Sequence, residues 1–415
     1  MKRRGMSLAL CAAMAMGTIG VVPAMADDVT TITYWVNDRH DSEYMTEMVE
    51  KYNKENTDNI YIDTCRNILF TGDSTEGFPC RAIWEDTGEK AYTIKKFGVI
   101  NRYNLQEEFP AITIRKTYIK SAIDEILWIY QKRSNDVRLL NSKIWDQWTD
   151  KNHTIGRSYG YQIGRKNLVE RIEFKNHAEL INYLLTDISV NYHYIDSYIR
   201  HDGTYILQLF YDESEQSNPQ NIIKKVNADR NVFDNVEPGT TPMCIELFMD
   251  QINYVLHTLK TNPTSRRIMT NMYNHHDSYY MMLQPCAYSC LFNVSDDGSE
   301  KPVLNMILNQ RSQDMLVANN WNVFQYWVLQ NLFAMECNLL PGELVHVICD
   351  CHIYDRHIEI ARDIINTYHN ALDKTDLYTP TVKFDFDGFY KFRVENCHVS
   401  DYKPCMDIKN IPVAV

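Results

Sequence analysis

The chain has 415 residues and a formal net charge of −12, from 42 Lys and Arg against 54 Asp and Glu. Apolar residues make up 45% and charged residues 23%, ordinary globular usage that excludes wholesale disorder, collagen-like repeats and coiled-coil rods. The acidic balance also excludes a general nucleic-acid coat, while leaving room for one concentrated basic pocket.

At the N-terminus, Lys2-Arg3-Arg4 precedes a run of small and apolar residues from Met6 to Val22, and Ala24-Met25-Ala26 follows. This is the pattern of a secretory leader over residues 1–26, with an apolar run too short for a membrane span; a buried N-terminal helix is the alternative. A strand over Thr31–Val36 and a helix spaced on Tyr44, Met48, Val49 and Tyr52 follow. Together with the leader pattern, residues 1–61 resemble the beginning of a bacterial extracellular sugar-binding protein. The cysteines point the other way. There are 11, an odd number with no CxxC spacing, which reads as reduced, buried thiols suited to the cytosol.

Residues 62–166 and 248–415 have another texture. Helical spacing recurs over 118–128 and in the long apolar stretch from Phe324 to Leu340. Strand-like runs occupy Ala111–Ile114, Val303–Leu308 and Val345–Ile348. The mixture predicts an α+β fold, a sheet backed by long helices. Between these parts, residues 167–247 read as an insertion. Residues 167–248 hold 13 acidic and 6 basic side chains, a net of −7, and six tyrosines fall between Tyr183 and Tyr211. Its middle, Asp212 to Gln220, is a polar loop ending near a proline. Such a segment reads as an acidic, solvated surface module without chemistry of its own.

Candidate chemistry is scattered along the chain. Cys286, in Gln284-Pro285-Cys286-Ala287, is either a small buried hydrophobe or a nucleophile; the second requires a nearby cation to stabilise its thiolate. Twenty-five residues on, Gln310-Arg311-Ser312-Gln313-Asp314 gathers a cation, a hydroxyl and a carboxylate. Arg311 suits a thiolate or a phosphate, or a surface ion pair. Arg266 and Arg267 are adjacent, either solvated or anion ligands for the same pocket. Glu125 sits in an apolar helix, where desolvation would raise its pKa toward neutrality. In Asp350-Cys351-His352-Ile353-Tyr354-Asp355-Arg356-His357 the histidines are five apart, which favours a hydrogen-bonding cluster for a polar ligand over a metal site. His275-His276-Asp277 reads as a surface turn.

Taken in order, these pieces are specific. Trp145-Asp146-Gln147-Trp148, Tyr159-Gly160-Tyr161-Gln162, Ser265-Arg266-Arg267, Gln284-Pro285-Cys286, Gln310-Arg311-Ser312-x-Asp314, Asn322, Asp350-x-His352-x-Tyr354 and the final Ile411-Pro412-Val413-Ala414-Val415 resemble the thymidylate synthase family over about 270 residues split by the insertion. The resemblance implies reductive methylation of dUMP to dTMP, with 5,10-methylenetetrahydrofolate as donor of both the carbon and the hydride, and no metal. It implies Cys286 as nucleophile at uracil C6, Glu125 and Tyr159 in proton transfers, and Asp314 on the pterin. Arg81, Arg311 and Ser312 would take the phosphate, with Arg266 and Arg267 reaching it from the other subunit of a homodimer. Asn322 would read the pyrimidine edge, and His352 and Tyr354 the ribose. Trp145 and Trp148 would line the folate side, and Val415 would close over the ligands. No nucleic acid or membrane partner is implied, and the substrates place the enzyme in the cytoplasm, against the leader pattern. Three positions depart from the commonest pattern, Ala287 after the nucleophile, Gln147, and Asn319-Asn320-Trp321 before Asn322; they suit a bacterial and phage subgroup. A pyrimidine hydroxymethylase of the same superfamily and a catalytically disabled chimera with an exported-type N-terminus are the competing readings.

Overall fold

The computed structural model describes residues 57–233, 241–372 and 380–415, together with three short strands nearer the N-terminus. Those strands, β1 (Met6–Ser7), β2 (Gly20–Val22) and β3 (Thr31–Thr33), pair antiparallel in the order β1-β3-β2. Of the strand expected over 31–36, Thr31–Thr33 is a strand and residues 34–36 lie outside the described residues. The helix expected on Tyr44, Met48, Val49 and Tyr52, and most of the leader-like segment, lie outside the described residues.

The central sheet has six strands, β4 (Asp73–Ser74), β5 (Thr93–Asn104), β10 (Met269–Asn271), β11 (Ala287–Ser295), β12 (Val303–Asp314) and β13 (Leu340–Tyr354). Their order is β10-β11-β12-β13-β5-β4. Only β12 and β13 run parallel, and α7 (Asn319–Glu336) supplies the crossover that a parallel pair requires. Alternation along β12 sets the two faces. Leu304, Met306 and Leu308 point into a core shared with α2 (Ile119–Tyr130), α6 (Gln251–Thr261) and α7. On the opposite face, Ile100 of β5, Leu291 of β11 and Ile307 of β12 are exposed. Among the described residues no helix covers this face, on which these apolar side chains alternate with Asn293, Asn305 and Asn309.

The core helix α7 is buried along nearly its whole length, polar residues included. A helix apolar all round belongs inside, between layers, and its sequence shows no amphipathic stripe for that reason. α1 (Thr57–Thr71) and α8 (Ile358–Leu372) cover a second cluster of Tyr61, Ile62, Cys65, Ile68, Ile348, Ile353 and Ile364. The boundary expected between residues 61 and 62 thus falls inside α1.

The apolar run Ala111–Ile114 is not a strand. Asp58, buried on α1, accepts the backbone N–H groups of Thr113 at 2.9 Å and Ile114 at 3.0 Å, and the Thr113 hydroxyl. With those N–H groups satisfied by a side chain, the segment bends at Thr113 and Ile114 instead of joining the sheet.

Residues 167–249 build a second sheet from β6 (Asn167–Phe174), β7 (Tyr192–Ile199), β8 (Tyr205–Tyr211) and β9 (Met243–Met249), ordered β6-β9-β8-β7. Two helices, α4 (His177–Thr186) and α5 (Pro219–Phe233), cover one face. The loop expected over 212–220 ends where α5 begins at Pro219, a first-turn position proline favours. The module is not merely solvated. Leu207, Leu209, Ile245 and Leu247 form its own core with Leu180, Leu184 and Ile222.

Arg133, just past α2, fastens this module to the rest. Its guanidinium meets Asp212 at 3.0 Å and Asp250 at 2.5 Å, and donates to Ser214. Asp250 also caps α6 by accepting from the N–H groups of Ile252 and Asn253. A small hairpin, β14 (Thr381–Phe384) with β15 (Cys397–Ser400), packs against the main core. Among the described residues, no helix is long and apolar enough to cross a membrane.

Candidate active site

Cys286 lies immediately before β11, at the end of the sheet where Ala287 pairs with Gln310. Arg311, the next residue on β12, is locked against it. Its backbone N–H donates to the Cys286 carbonyl at 2.9 Å, and its side chain donates to the carbonyls of Pro285 at 3.0 Å and Gln284 at 2.8 Å. That clamp leaves Nη2 3.6 Å from the Cys286 sulfur. Burial pushes the thiol up, while Arg311 and Tyr159 pull it back. The cation the sequence required beside the sulfur is therefore present.

Tyr159 reaches the same point from another element. Its phenolic oxygen accepts the Cys286 backbone N–H at 3.1 Å. The residue has φ of 46°, a left-handed conformation that is costly for a side chain of this size. The cause is its neighbour. A Cβ on Gly160 would stand 2.1 Å from the Ser134 carbonyl, so the chain must turn sharply at Tyr159 to let Gly160 open the short helix α3 (Gly160–Ile163) against that backbone. Trp145 stacks edge-on with Tyr159 at 5.1 Å and with Trp148 at 5.9 Å, extending an aromatic wall.

Glu125 is on α2 and only 6% exposed. The carboxyl does not face water as a surface helix residue would. Burial pushes it up to about 7, while hydrogen bonding from Trp321, Trp145 and Gln325 opposes that shift. The Trp321 indole donates to Oε2 at 2.8 Å. The Trp145 N–H faces the same carboxyl without a full hydrogen bond of its own. At pH 7 this carboxyl is thus poised to give or take a proton.

Asn322, in the first turns of α7, is held between two glutamines. It accepts from Gln310 Nε2 at 3.2 Å and donates to Gln325 Oε1 at 3.1 Å. Gln310 in turn bonds His346 at 2.8 Å. His352 bonds Asp350 through Nδ1 at 2.8 Å, and Asp350 is gripped from the far side by Lys95 at 2.9 Å. This fixes the ring and leaves Nε2 directed elsewhere. Tyr354 stacks edge-on with His352 at 5.0 Å and with Trp84 at 5.6 Å. Asp314 uses one carboxylate oxygen to accept the N–H groups of Leu316 and Val317, shaping the turn into α7. Ser312 pairs with Asp350 across β12 and β13.

Several expected residues stand apart from this cluster in one chain. Arg81 is exposed in the loop before Ile83. Arg266 and Arg267 are exposed between α6 and β10, and neither side chain has a hydrogen bond or ion pair among the described residues. Val415 exchanges backbone hydrogen bonds with Ile83, at 2.9 and 3.0 Å, and His357 bonds the Pro412 carbonyl. The tail is therefore tied to the segment that follows Arg81.

Asp277 corrects the expectation of a surface turn over 275–277. It is 1% exposed and bonds Arg157 at 2.8 Å, Arg165, Gln162 and Asn274. Two cations converging on one carboxylate allow it to be buried. Sequence reading also missed Lys95, Gln310, Gln325 and His346. Gln310 and His346 left a signal: each occupies an inward position of a strand whose neighbours of the same parity, Leu308, Leu344 and Ile348, are apolar.

The thymidylate synthase family model matches residues 59–210 and 216–415. The thymidylate synthase of Bacillus licheniformis is 30% identical over 349 residues, covering 83% of this chain and 95% of that protein. Thymidylate synthase 1 of Bacillus subtilis strain 168 and the thymidylate synthase of Bacillus phage phi3T are each 29% identical over 350 residues, with the same shares covered. The solved structure of thermostable thymidylate synthase A from Bacillus subtilis matches with a TM-score of 0.61 and 28% identity, over 86% of this chain and 99% of that one.

Proposed function

Since the chain belongs to the thymidylate synthase family of methyltransferases, we propose that it converts dUMP and 5,10-methylenetetrahydrofolate to dTMP and dihydrofolate, with Cys286 as covalent nucleophile. The observation that carries this reading is the convergence of Arg311 and Tyr159 on Cys286. In the proposed sequence the sulfur adds to C6 of the uracil ring. Arg311 holds positive charge against the sulfur as the thiol proton leaves. C5 becomes a carbon nucleophile and attacks the methylene carbon of the folate. Tyr159 then assists loss of the C5 proton, and Glu125 works with water in proton transfers at the uracil and the folate. Loss of the C5 proton breaks the bond between the transferred carbon and the folate nitrogen, releasing tetrahydrofolate and leaving an exocyclic methylene on C5. Hydride from the tetrahydrofolate then reduces this methylene to methyl as the Cys286 thiolate is expelled from C6, giving dTMP and dihydrofolate.

The remaining assignments are those the family resemblance implies. Asn322 presents one amide to the pyrimidine edge, and His352 and Tyr354 take the ribose. Trp145, Trp148 and Asp314 take the folate, with Val415 closing beside them. Arg81, Arg311 and Ser312 bind the phosphate. Arg266 and Arg267, without side-chain partners among the described residues, complete the site of a second copy. A homodimer is supported by Ile100, Leu291 and Ile307, large apolar side chains exposed together on the open face of the sheet. The site works without a metal, because the folate supplies carbon and hydride. We place the enzyme in the cytoplasm, where these substrates are made, and read residues 167–247 as an accessory module of the catalytic domain.

The test is a spectrophotometric assay of dihydrofolate formation from dUMP and methylenetetrahydrofolate, beside Cys286→Ala. Activity in the parent and none in the variant is expected. Hydroxymethylated nucleotide without dihydrofolate would establish the hydroxymethylase instead. No turnover despite dUMP binding would make the chain a disabled chimera.

A further inference from the structure

We propose that His346 sets the preference for a 4-oxo over a 4-amino pyrimidine, by locking the orientation of the Asn322 amide through Gln310. The inference rests on Asn322 reading the pyrimidine, as assigned above.

The lock is a chain of hydrogen bonds with a fixed direction. Gln310 Oε1 is an acceptor only, so the 2.8 Å contact with His346 Nε2 requires the proton on Nε2. Gln310 Nε2 then donates both its hydrogens, to Asn322 Oδ1 at 3.2 Å and to the Ser312 carbonyl at 3.1 Å. Asn322 Nδ2 donates onward to Gln325 Oε1 at 3.1 Å, and Gln325 Nε2 donates to the Ala122 carbonyl at 3.2 Å. Every amide in the series has one orientation that satisfies both neighbours.

What remains free on Asn322 is one N–H and one lone pair on Oδ1. A 4-oxo pyrimidine matches both, its O4 accepting and its N3–H donating. A 4-amino pyrimidine presents a donor and an acceptor in the opposite places. To bind it, the Asn322 amide must rotate by half a turn, which sets Nδ2 against Gln310 Nε2 and Oδ1 against Gln325 Oε1. Gln310 cannot rotate to relieve this, because its own amide nitrogen would then face the His346 N–H. Leaving buried polar groups mismatched is the strongest means a site has to reject a close analogue.

The burial of His346 supports a dedicated role. The ring is fully buried between inward-facing Leu344 and Ile348 on the same strand. Its Nδ1 has no partner, and burial keeps the ring neutral, with its pKa lowered to about 3. A leucine would pack at such a position without an orphaned atom. The histidine's one bond is the bond to Gln310.

The test measures dUMP and dCMP binding by calorimetry, without folate, for the parent enzyme, His346→Leu and His346→Gln, with thermal melting to confirm folding. The parent should prefer dUMP. In His346→Leu that preference should fall at least tenfold, through weaker dUMP and stronger dCMP binding. The KM for dUMP should rise while kcat at saturation stays within about twofold. His346→Gln, which keeps an N–H at the same reach, should restore the preference. If His346→Leu does not fold, His346→Met takes its place, and the ring tautomer of the parent, read by nitrogen NMR, must be Nε2–H. A folded Leu or Met variant with the parent's full preference, or an Nδ1–H ring, overturns the lock and leaves the synthase reading standing. A parent enzyme that binds neither nucleotide sinks the synthase reading itself.

Discussion

The two sheets of this molecule are built alike and finished differently. Each packs helices on one face and leaves the other open. The inserted sheet is self-contained. Its covered face is apolar, and the buried carboxylate on its open face, Glu246, is matched by Arg171 at 2.8 Å and Gln208 at 2.9 Å. The catalytic sheet is less complete. Its open face mixes exposed Ile100, Leu291 and Ile307 with Asn293, Asn305 and Asn309, and its covered side buries Glu125 and His346, with the Asn319 amide nitrogen and His346 Nδ1 lacking partners among the described residues. A fold optimised only for stability pairs its buried polar atoms. Where a chain tolerates orphans and exposed apolar side chains, something from outside can complete them. One sheet is finished by its own sequence; under the proposed function, ligands and a second copy would finish the other.

That contrast can be broken first at Cys286. Cys286→Ala should cut turnover by a factor on the order of 10⁴ or more with dUMP binding retained, measured by dihydrofolate formation and calorimetry. The open face comes next. Ile307→Glu should convert a dimer to monomers in analytical ultracentrifugation and abolish activity, because Arg266 and Arg267 could no longer reach a partner's phosphate site. An active monomer would refute the shared site.

Glu125→Gln should lower kcat by roughly 10²–10⁴-fold. It also tests the cost of burying this acid. The Glu125 carboxyl titrates near 7 when folded and near 4.5 when unfolded, so between those values the folded state holds more protons. Its contribution then falls as pH rises, by about 3 kcal/mol in all. The variant should be more stable than the parent above pH 7 and should lose that slope, as followed by denaturant unfolding from pH 5 to 8. The mildest change belongs to the inserted sheet. Arg171→Met should destabilise it by about 1–3 kcal/mol by stranding Glu246, while kcat and KM stay within about twofold. A large loss of activity would mean that the module takes part in catalysis.

Much of the catalytic part is legible in the residues themselves. The period of Ile119–Tyr130 and the alternation of Val303–Leu308 follow directly from what each face must bury. Reading failed where a side chain replaced a backbone partner. Ala111–Ile114 has the composition of a strand, but Asp58, more than 50 residues earlier, takes its hydrogen bonds. Asp277 reads as a solvated turn because the cations that bury it, Arg157 and Arg165, come from another loop. Cys286 and Glu125 were legible as candidates from their chemistry, and Asn322 only through the family resemblance. Lys95, Gln310 and His346 were not, because they act through other side chains and their partners are distant in sequence. Of the leader-like start, only Met6–Ser7 and Gly20–Val22 are described, as short strands.

The inserted sheet leaves and re-enters the catalytic part through a single rung. Asn167 on β6 lies opposite Met249 on β9, so the two points where the module joins the main chain are antiparallel neighbours. A two-residue turn spans such a gap. The backbone geometry at the junction is therefore compatible with either the module or a tight hairpin, and removing the module would cost side-chain ties such as those of Arg133 to Asp212 and Ser214. For an engineer this rung is a socket, in which the native module can be removed or exchanged for a fluorescent or ligand-binding domain. For a lineage it is a place where length can be gained in one step without renegotiating the chemistry.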